Sequence, residues 1–209
     1  MSVRENKVLK NPGILLVISG PSGAGKGTLA KALISQYTSI ELSVSATTRD
    51  IRPGEKDGET YYYINKEEFL EKVNQGLFLE YATVYDNYYG TPKDKVLEAL
   101  DKEVDVILEI DIQGAMQVKK SYPDAVFLFV VPPSLEILKE RIICRDREPM
   151  EEIEKRLQQV KNELSYIGEY DYVVVNDKIE DAVERMRCII AAEKCKSTRL
   201  LLHFEEKGE

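Results

Sequence analysis

Five apolar residues in a row, Ile14-Leu-Leu-Val-Ile18, run into Ser19 and then into a stretch where glycine recurs, Gly20-Pro-Ser-Gly-Ala-Gly-Lys26-Gly-Thr28. An unbroken apolar run of this kind fits a strand buried on both faces, as in a parallel sheet. Beyond the glycines, Leu29, Ala32, Leu33 and Tyr37 recur at helical spacing. Strand, tight loop and helix in that order constrain the chain to an α/β fold before any other feature is read.

The loop carries chemistry as well as topology. Wrapping a phosphate requires positive φ angles and close backbone approach, which glycine supplies. Successive N–H groups then point inward, and the helix that follows presents its positive end to the anion. Lys26 can reach β- and γ-phosphates, and a hydroxyl can assist Mg²⁺. The strict pattern has Ser or Thr directly after the lysine, whereas here Gly27 stands before Thr28.

The alternation of strand and helix returns after residue 100. Val104–Ile110 reads as a strand, followed by a helix around Ala115–Lys120. Ala125–Val131 reads as a strand stopped by Pro132-Pro133, with Ser134 as N-cap of a helix over Leu135–Arg145. Glu151–Leu164 reads as helix, Tyr172–Val175 as strand and Ile179–Lys194 as a long amphipathic helix. The pattern predicts a doubly wound parallel sheet. Residues 43–92 break the rhythm with Tyr, Thr, Gly and Arg, with short segments at Glu59–Ile64 and Phe78–Val84 and a helix near Lys66–Gln75. They read as a small β-rich insertion over the cleft. Residues 1–12 read as a loose arm, and the tail from Lys196 either docks or frays.

Bulk properties narrow the function. At 209 residues one domain with an insertion is expected. A net charge of −8 argues against a general nucleic-acid binder, yet leaves room for arginines in a cleft. Cys144, Cys188 and Cys195 lack CxxC spacing, and the only histidine is His203, so a zinc site is not expected. The apolar runs are too short for a membrane span, and the chain reads as cytoplasmic.

Two motifs separate the classes of nucleotide binder. Asp111-Ile-Gln-Gly114 matches the DxxG pattern of GTPases, but no NKxD segment follows it; Asn65-Lys-Glu-Glu68 precedes it and lacks the aspartate. Ser43-Val-Ser-Ala-Thr-Thr-Arg49-Asp-Ile-Arg52-Pro-Gly-Glu55 sets two arginines three residues apart among hydroxyls, and guanidinium forks hold phosphate monoesters bidentately. Tyrosines at 61–63 and in Asn87-Tyr-Tyr89-Gly-Thr91 are either phenolic donors to a ligand or strand residues covering a sheet.

In this order, the phosphate loop, the Ser-Val-Ser-x-Thr-Thr-Arg-x-x-Arg-x-Gly-Glu segment, Phe78-Leu-Glu80-Tyr-Ala, Asn87-Tyr-Tyr-Gly-Thr91, Glu109-Ile-Asp111-x-Gln-Gly and Val174-Val-Asn176-Asp resemble guanylate kinases, a family of P-loop nucleoside monophosphate kinases. The similarity spans about Gly13 to Glu193. It implies a P-loop core, a GMP-binding insertion over 43–92 and a helical lid over about 135–165. It also implies transfer of the ATP γ-phosphoryl to GMP, and to dGMP, with Mg²⁺.

The resemblance assigns ATP to Gly20, Pro21, Ser22, Gly23, Ala24, Gly25, Lys26, Gly27 and Thr28, with Arg145 and Asn176. It assigns GMP to Ser45, Arg49, Arg52, Tyr61, Glu80, Tyr89, Thr91, Glu109 and Asp111. Glu80 is implied as the base reader, since guanine offers two adjacent donors that one carboxylate accepts together. Asp111 is either a carboxylate near the metal shell, reached with Thr28 through water, or a strand-end cap. Lys26, Arg49, Arg145 and Arg156 are the implied catalytic set, with Arg141 in support.

The lid departs from the family: Asp146-Arg147-Glu148-Pro149 stands where glycine often follows the second lid arginine, so Arg145 and Arg147 compete for that role. The charge-dense lid helices could equally form a salt-bridged surface. Either a monomer or a homodimer is compatible with the long C-terminal helix. The class that competes is a peptide-binding domain of the same fold, which generally lacks an intact phosphate loop.

Overall fold

The computed structural model describes residues 7–8, 12–145, 158–199 and 202–203. Its elements in chain order are β1 (Lys7–Val8), β2 (Leu15–Ser19), α1 (Lys26–Gln36), β3 (Ile40–Leu42), β4 (Ala46–Thr47), β5 (Tyr62–Tyr63), α2 (Lys66–Asn74), β6 (Phe78–Val84) and β7 (Asn87–Pro92). There follow α3 (Lys93–Asp101), β8 (Asp105–Glu109), α4 (Ile112–Ser121), β9 (Val126–Val131), α5 (Leu135–Arg145), helical residues 158–164 (α6), β10 (Tyr172–Val175), α7 (Ile179–Lys194) and β11 (Leu202–His203).

Five of these strands form a parallel sheet in the order β10-β9-β2-β8-β3. The apolar run of β2 lies at its centre, and every residue of that strand is buried. Alternation along the run sends Ile14, Leu16 and Ile18 to a cluster with Leu29, Leu33 and Met186 of α1 and α7. Leu15 and Val17 face the opposite cluster, with Val96 and Leu100 of α3 and Ala115 and Val118 of α4. Helices therefore cover both faces, which is why the strand had to be apolar on both. The sheet is doubly wound, as expected.

A second sheet, of mixed direction, has the order β5-β4-β7-β6. Its core is Ala46, Phe69 and Phe78, with the rings of Phe69 and Phe78 stacked at 4.5 Å. It joins the parallel sheet through α4: Gln117 exchanges two 3.0 Å hydrogen bonds with the backbone of Tyr81, and Ser121 Oγ donates to the Leu79 carbonyl at 2.8 Å. Gln117 thus serves β6 as a neighbouring strand would.

The helix expected around Ala115–Lys120 starts earlier, at Ile112, because Asp111 caps it. The strand expected over Glu59–Ile64 shrinks to Tyr62–Tyr63, since Glu59 and Thr60 turn back onto the Lys56 carbonyl around Gly58 at φ +75°. Ser134 caps α5 as read, accepting from Ile137 N at 3.2 Å. Lys7–Val8 pairs antiparallel with Leu202–His203, joining parts of the two end segments. No helix among the described residues is long and apolar enough to cross a membrane.

Candidate active site

The glycine loop leaves β2 with Gly20, Gly23 and Gly25 at φ +136°, +82° and +88°, backbone that side chains rarely tolerate. Two of these glycines are also required by space. A Cβ on Gly20 would lie 2.2 Å from the Val130 carbonyl oxygen, and one on Gly25 would lie 2.4 Å from Asn176 Nδ2. Gly20→Ala is therefore expected to lower folding stability by about 3 kcal/mol, combining φ strain with a backbone clash. Denaturant unfolding reads this, and an unchanged midpoint would show that the loop is not held as described.

Asn176, buried at the end of β10, fastens the loop to the sheet. Its Nδ2 donates to the Ala24 carbonyl at 2.8 Å, and its N–H donates to Val131 at 2.8 Å. Arg141 Nη2 of α5 donates in turn to the Asn176 carbonyl at 3.1 Å. Lys26 opens α1, and its Nζ donates to Gly20 O at 2.7 Å and Pro21 O at 3.2 Å, so the ammonium braces its own loop. Gly27 answers the departure from the strict motif. A Cβ there would lie 3.0 Å from both carboxylate oxygens of Glu109, so a larger residue at position 27 would have to displace that acid. Glu109, read with the acceptor residues, thus lies against the phosphate loop, and Thr28 is exposed on the first turn of α1.

Glu80 lies next to a register shift between Phe78 and Tyr81 where β6 pairs with β7. The irregularity breaks the strand's period of two, so Phe78, Leu79 and Glu80 are buried in succession. Thr91 of β7 donates Oγ1 to Glu80 Oε1 at 2.6 Å. Glu80 Oε2 lies where a Cβ on Gly114 would come within 3.2 Å, which joins the acid to the start of α4. There Asp111 caps the helix, accepting from Gly114 N at 2.8 Å. The DxxG resemblance is thus a helix cap, and Asn65 of the NKxD-like segment is likewise a cap, for α2. Burial first, and then the charge of Asp111, push the Glu80 carboxyl above its usual value of 4.5.

The third cluster contains Arg49. The guanidinium lies 5.5 Å from the Tyr61 ring centroid and 5.9 Å from that of Tyr63. Tyr61 meets Tyr89 edge to face at 5.9 Å. Ser45 enters β4 beside them, its carbonyl accepting from Tyr62 N. The side chain of Arg52 is exposed; its backbone N–H donates to Glu55. Arg145 ends α5, while Arg147 and Arg156 lie outside the described residues.

Sequence reasoning gave no role to Glu55, Glu163 or Tyr170. Glu55 pairs with Arg49 in a bidentate ion pair. Glu163 of α6 faces the cleft with Asp111, and its Oε2 is buried without a partner among the described residues. Burial raises its carboxyl, opposed by the nearby charge of Lys26. Tyr170 is raised to about 12, chiefly by burial. Only Glu55 carried a signal, the Pro53-Gly54 pair that turns the chain back: Glu55 N donates to Arg52 O at 3.0 Å, with Gly54 at φ +89°.

A sequence profile of guanylate kinase matches residues 13–193. The chain belongs to the guanylate kinase family. It is 55% identical over 188 residues to a guanylate kinase of Clostridium tetani, covering 90% of each chain. It is 51% identical over 205 residues to one of Clostridium perfringens, covering 98% of this chain and 95% of that one. The crystal structure of guanylate kinase from Anaplasma phagocytophilum superposes with a TM-score of 0.70 at 36% identity, covering 92% of both chains.

Proposed function

We propose that this member of the guanylate kinase family transfers the γ-phosphoryl group of ATP to GMP, and to dGMP, giving ADP and GDP or dGDP. The observation that carries the reading is the buried Glu80 carboxylate, with Thr91 satisfying part of its capacity, against the start of α4. Guanine N1–H and the exocyclic amine fit the remaining lone pairs together. Adenine lacks the N1–H and would leave the acid unpaired, which costs roughly 1–3 kcal/mol.

Residues 43–92 form the acceptor-binding part in this reading, with Arg49, Arg52, Tyr61 and Tyr89 on the GMP phosphate and Ser45 and Thr91 helping to hold the base. Glycines 20, 23, 25 and 27, with Pro21, Ser22, Ala24, Lys26 and Asn176, form the donor side. Residues 135–165 act as the lid, bringing Arg145 and Arg156 over the phosphates.

A GMP phosphate oxygen is nucleophilic near neutral pH, so the protein has little covalent work. Lys26 and the arginines neutralise charge, and the site aligns donor and acceptor in line. Lid closure excludes the water that would otherwise take the phosphoryl group. Among the described residues there is no cluster of three or more His, Cys, Asp and Glu able to cage a metal. The oxygen donors Thr28, Glu109 and Asp111 fit instead an ion carried in on ATP and touched through water. Mg²⁺ there supplies charge neutralisation on the phosphates.

ADP release measured across GMP, dGMP, AMP, UMP and sugar phosphates tests the assignment. Turnover with GMP and dGMP alone is expected; preference for any other acceptor would displace it. Retention of Lys26 and the strained glycines favours an enzyme over a peptide-binding domain of the same fold.

A further inference from the structure

Glu55 accepts four hydrogen bonds, two from the phosphate arginine Arg49 and one each from Arg52 and Tyr63. Its Oε1 accepts from Arg49 Nη2 at 2.8 Å. Its Oε2 accepts from Arg49 Nη1 at 3.0 Å, Arg52 N at 2.8 Å and the Tyr63 hydroxyl at 2.8 Å. The Asp50 carbonyl takes a further hydrogen of Nη1 at 2.7 Å. A guanidinium carries five N–H donors in a rigid plane. The carboxylate is end-on to Nη1 and Nη2, so the Nε–H and the outer Nη2–H make up a second edge; Tyr89 also interacts with the guanidinium. The rings of Tyr61 and Tyr63 pack beside the guanidinium on one side, 6.0 Å from each other.

We propose that Glu55 is a positioning residue: it grips one edge of the Arg49 guanidinium so that the other edge is presented, already oriented, to the phosphate of the acceptor nucleotide. The proposal rests on the reading of Arg49 as an acceptor-phosphate ligand. Its physical basis is pre-organisation. An arginine free to rotate loses several rotamers on binding, whereas one held by a bidentate carboxylate has already lost them. The turn at Pro53-Gly54 carries Glu55 back to the arginine six residues before it, and the carboxylate draws the Arg52 backbone into the same cluster. Held by Arg49 first and then by the Arg52 N–H, the Glu55 carboxyl falls to about 2, so the clamp stays charged over the working pH range.

The test compares GMP with guanosine, which lacks the phosphate, by calorimetry without ATP. Glu55→Gln puts an amide among four donors while keeping the volume. It is expected to weaken GMP at least tenfold, to move guanosine by less than twofold, and to leave KM for ATP unchanged. The loss is expected to be equal at pH 6 and pH 8. Tyr63→Phe removes one donor to the carboxylate and should weaken GMP about threefold. Unchanged GMP affinity in both variants overturns the proposal, as does a parallel loss of GMP and guanosine, which marks a merely structural role. Should Glu55→Gln not fold, an unchanged GMP affinity in Tyr63→Phe overturns it alone. Because the readout is binding, a wild-type protein that binds GMP but makes no GDP would refute the reaction and leave this test intact. A wild-type protein that binds GMP no better than guanosine would refute both.

Discussion

Lys26→Ala is expected to lower kcat by about three orders of magnitude while GMP affinity changes by less than about twofold. The ammonium sits on carbonyl oxygens of the loop's first turn, at the N-terminus of α1, where the phosphates of ATP would gather. Removing one preorganised charge from such a site costs about 10²–10³ in rate, near 4 kcal/mol at the upper end. The loop itself should survive, because Asn176 and the left-handed glycines hold it independently of the lysine. GMP affinity should survive as well, since Glu80 and Thr91 belong to the second sheet and Arg49 to the turn that follows its strand β4, none of them to the loop. Steady-state rates and calorimetry on the same variant check both halves. A kcat within tenfold of wild type would remove Lys26 from the transferring phosphates.

Glu80→Gln should reduce kcat/KM for GMP by about a hundredfold and leave KM for ATP unaltered. A carboxamide offers one acceptor where guanine needs two, and its own N–H₂ then faces a guanine donor. The pH dependence gives this variant a signature. Guanine needs the ionised acid, and burial raises the free carboxyl above 4.5, so kcat/KM for GMP should fall on the acid side with a limb above the usual carboxylate range. That limb should vanish in Glu80→Gln. Stability should move the other way. A raised folded pKa means that the ionised acid destabilises the empty protein at neutral pH, and that this penalty disappears below the unfolded value near 4.5. The variant should thus melt no lower than wild type at pH 7, with any advantage gone at pH 4. Equal use of GMP by the variant would remove Glu80 from the base site.

The parts of the fold that were legible in the sequence are those buried on two faces or along one helical stripe. The runs of β2 and β9, and Val106–Leu108 of β8, alternate between two hydrophobic clusters, so they had to be apolar, whereas edge strand β10 buries only the face of Tyr172 and Val174. The ends of α5 and α7 matched because proline, a serine cap and amphipathic spacing mark them. The shortest elements left no such trace. β4 and β5 are two residues each, held by pairing partners distant in sequence, and α3 follows Pro92, the end of β7, without a side-chain cap. Tertiary pairing decides such elements, not local pattern.

The site was legible in the same uneven way. The glycines and Lys26 announce a phosphate loop from first principles, but the reason for Gly27 required Glu109, which is more than 80 residues away in sequence. The Glu80–Thr91 contact depends on a register shift that no periodicity reveals; the family resemblance marks the two residues but not their contact. The role of Glu55 is not legible in its motif, since nothing local says that its carboxylate returns to Arg49 instead of facing solvent. For Asp111 the sequence allows two functions, and the residue performs the capping one while also raising Glu80.

The most direct measurement supplies the purified protein with Mg²⁺, GMP and ATP labelled at the γ-phosphorus, and follows the label. Two anionic nucleotides aligned end to end predict that the label appears in the β-position of GDP, in step with ADP and with little free phosphate. Label found only in inorganic phosphate, or remaining in ATP, would contradict the account.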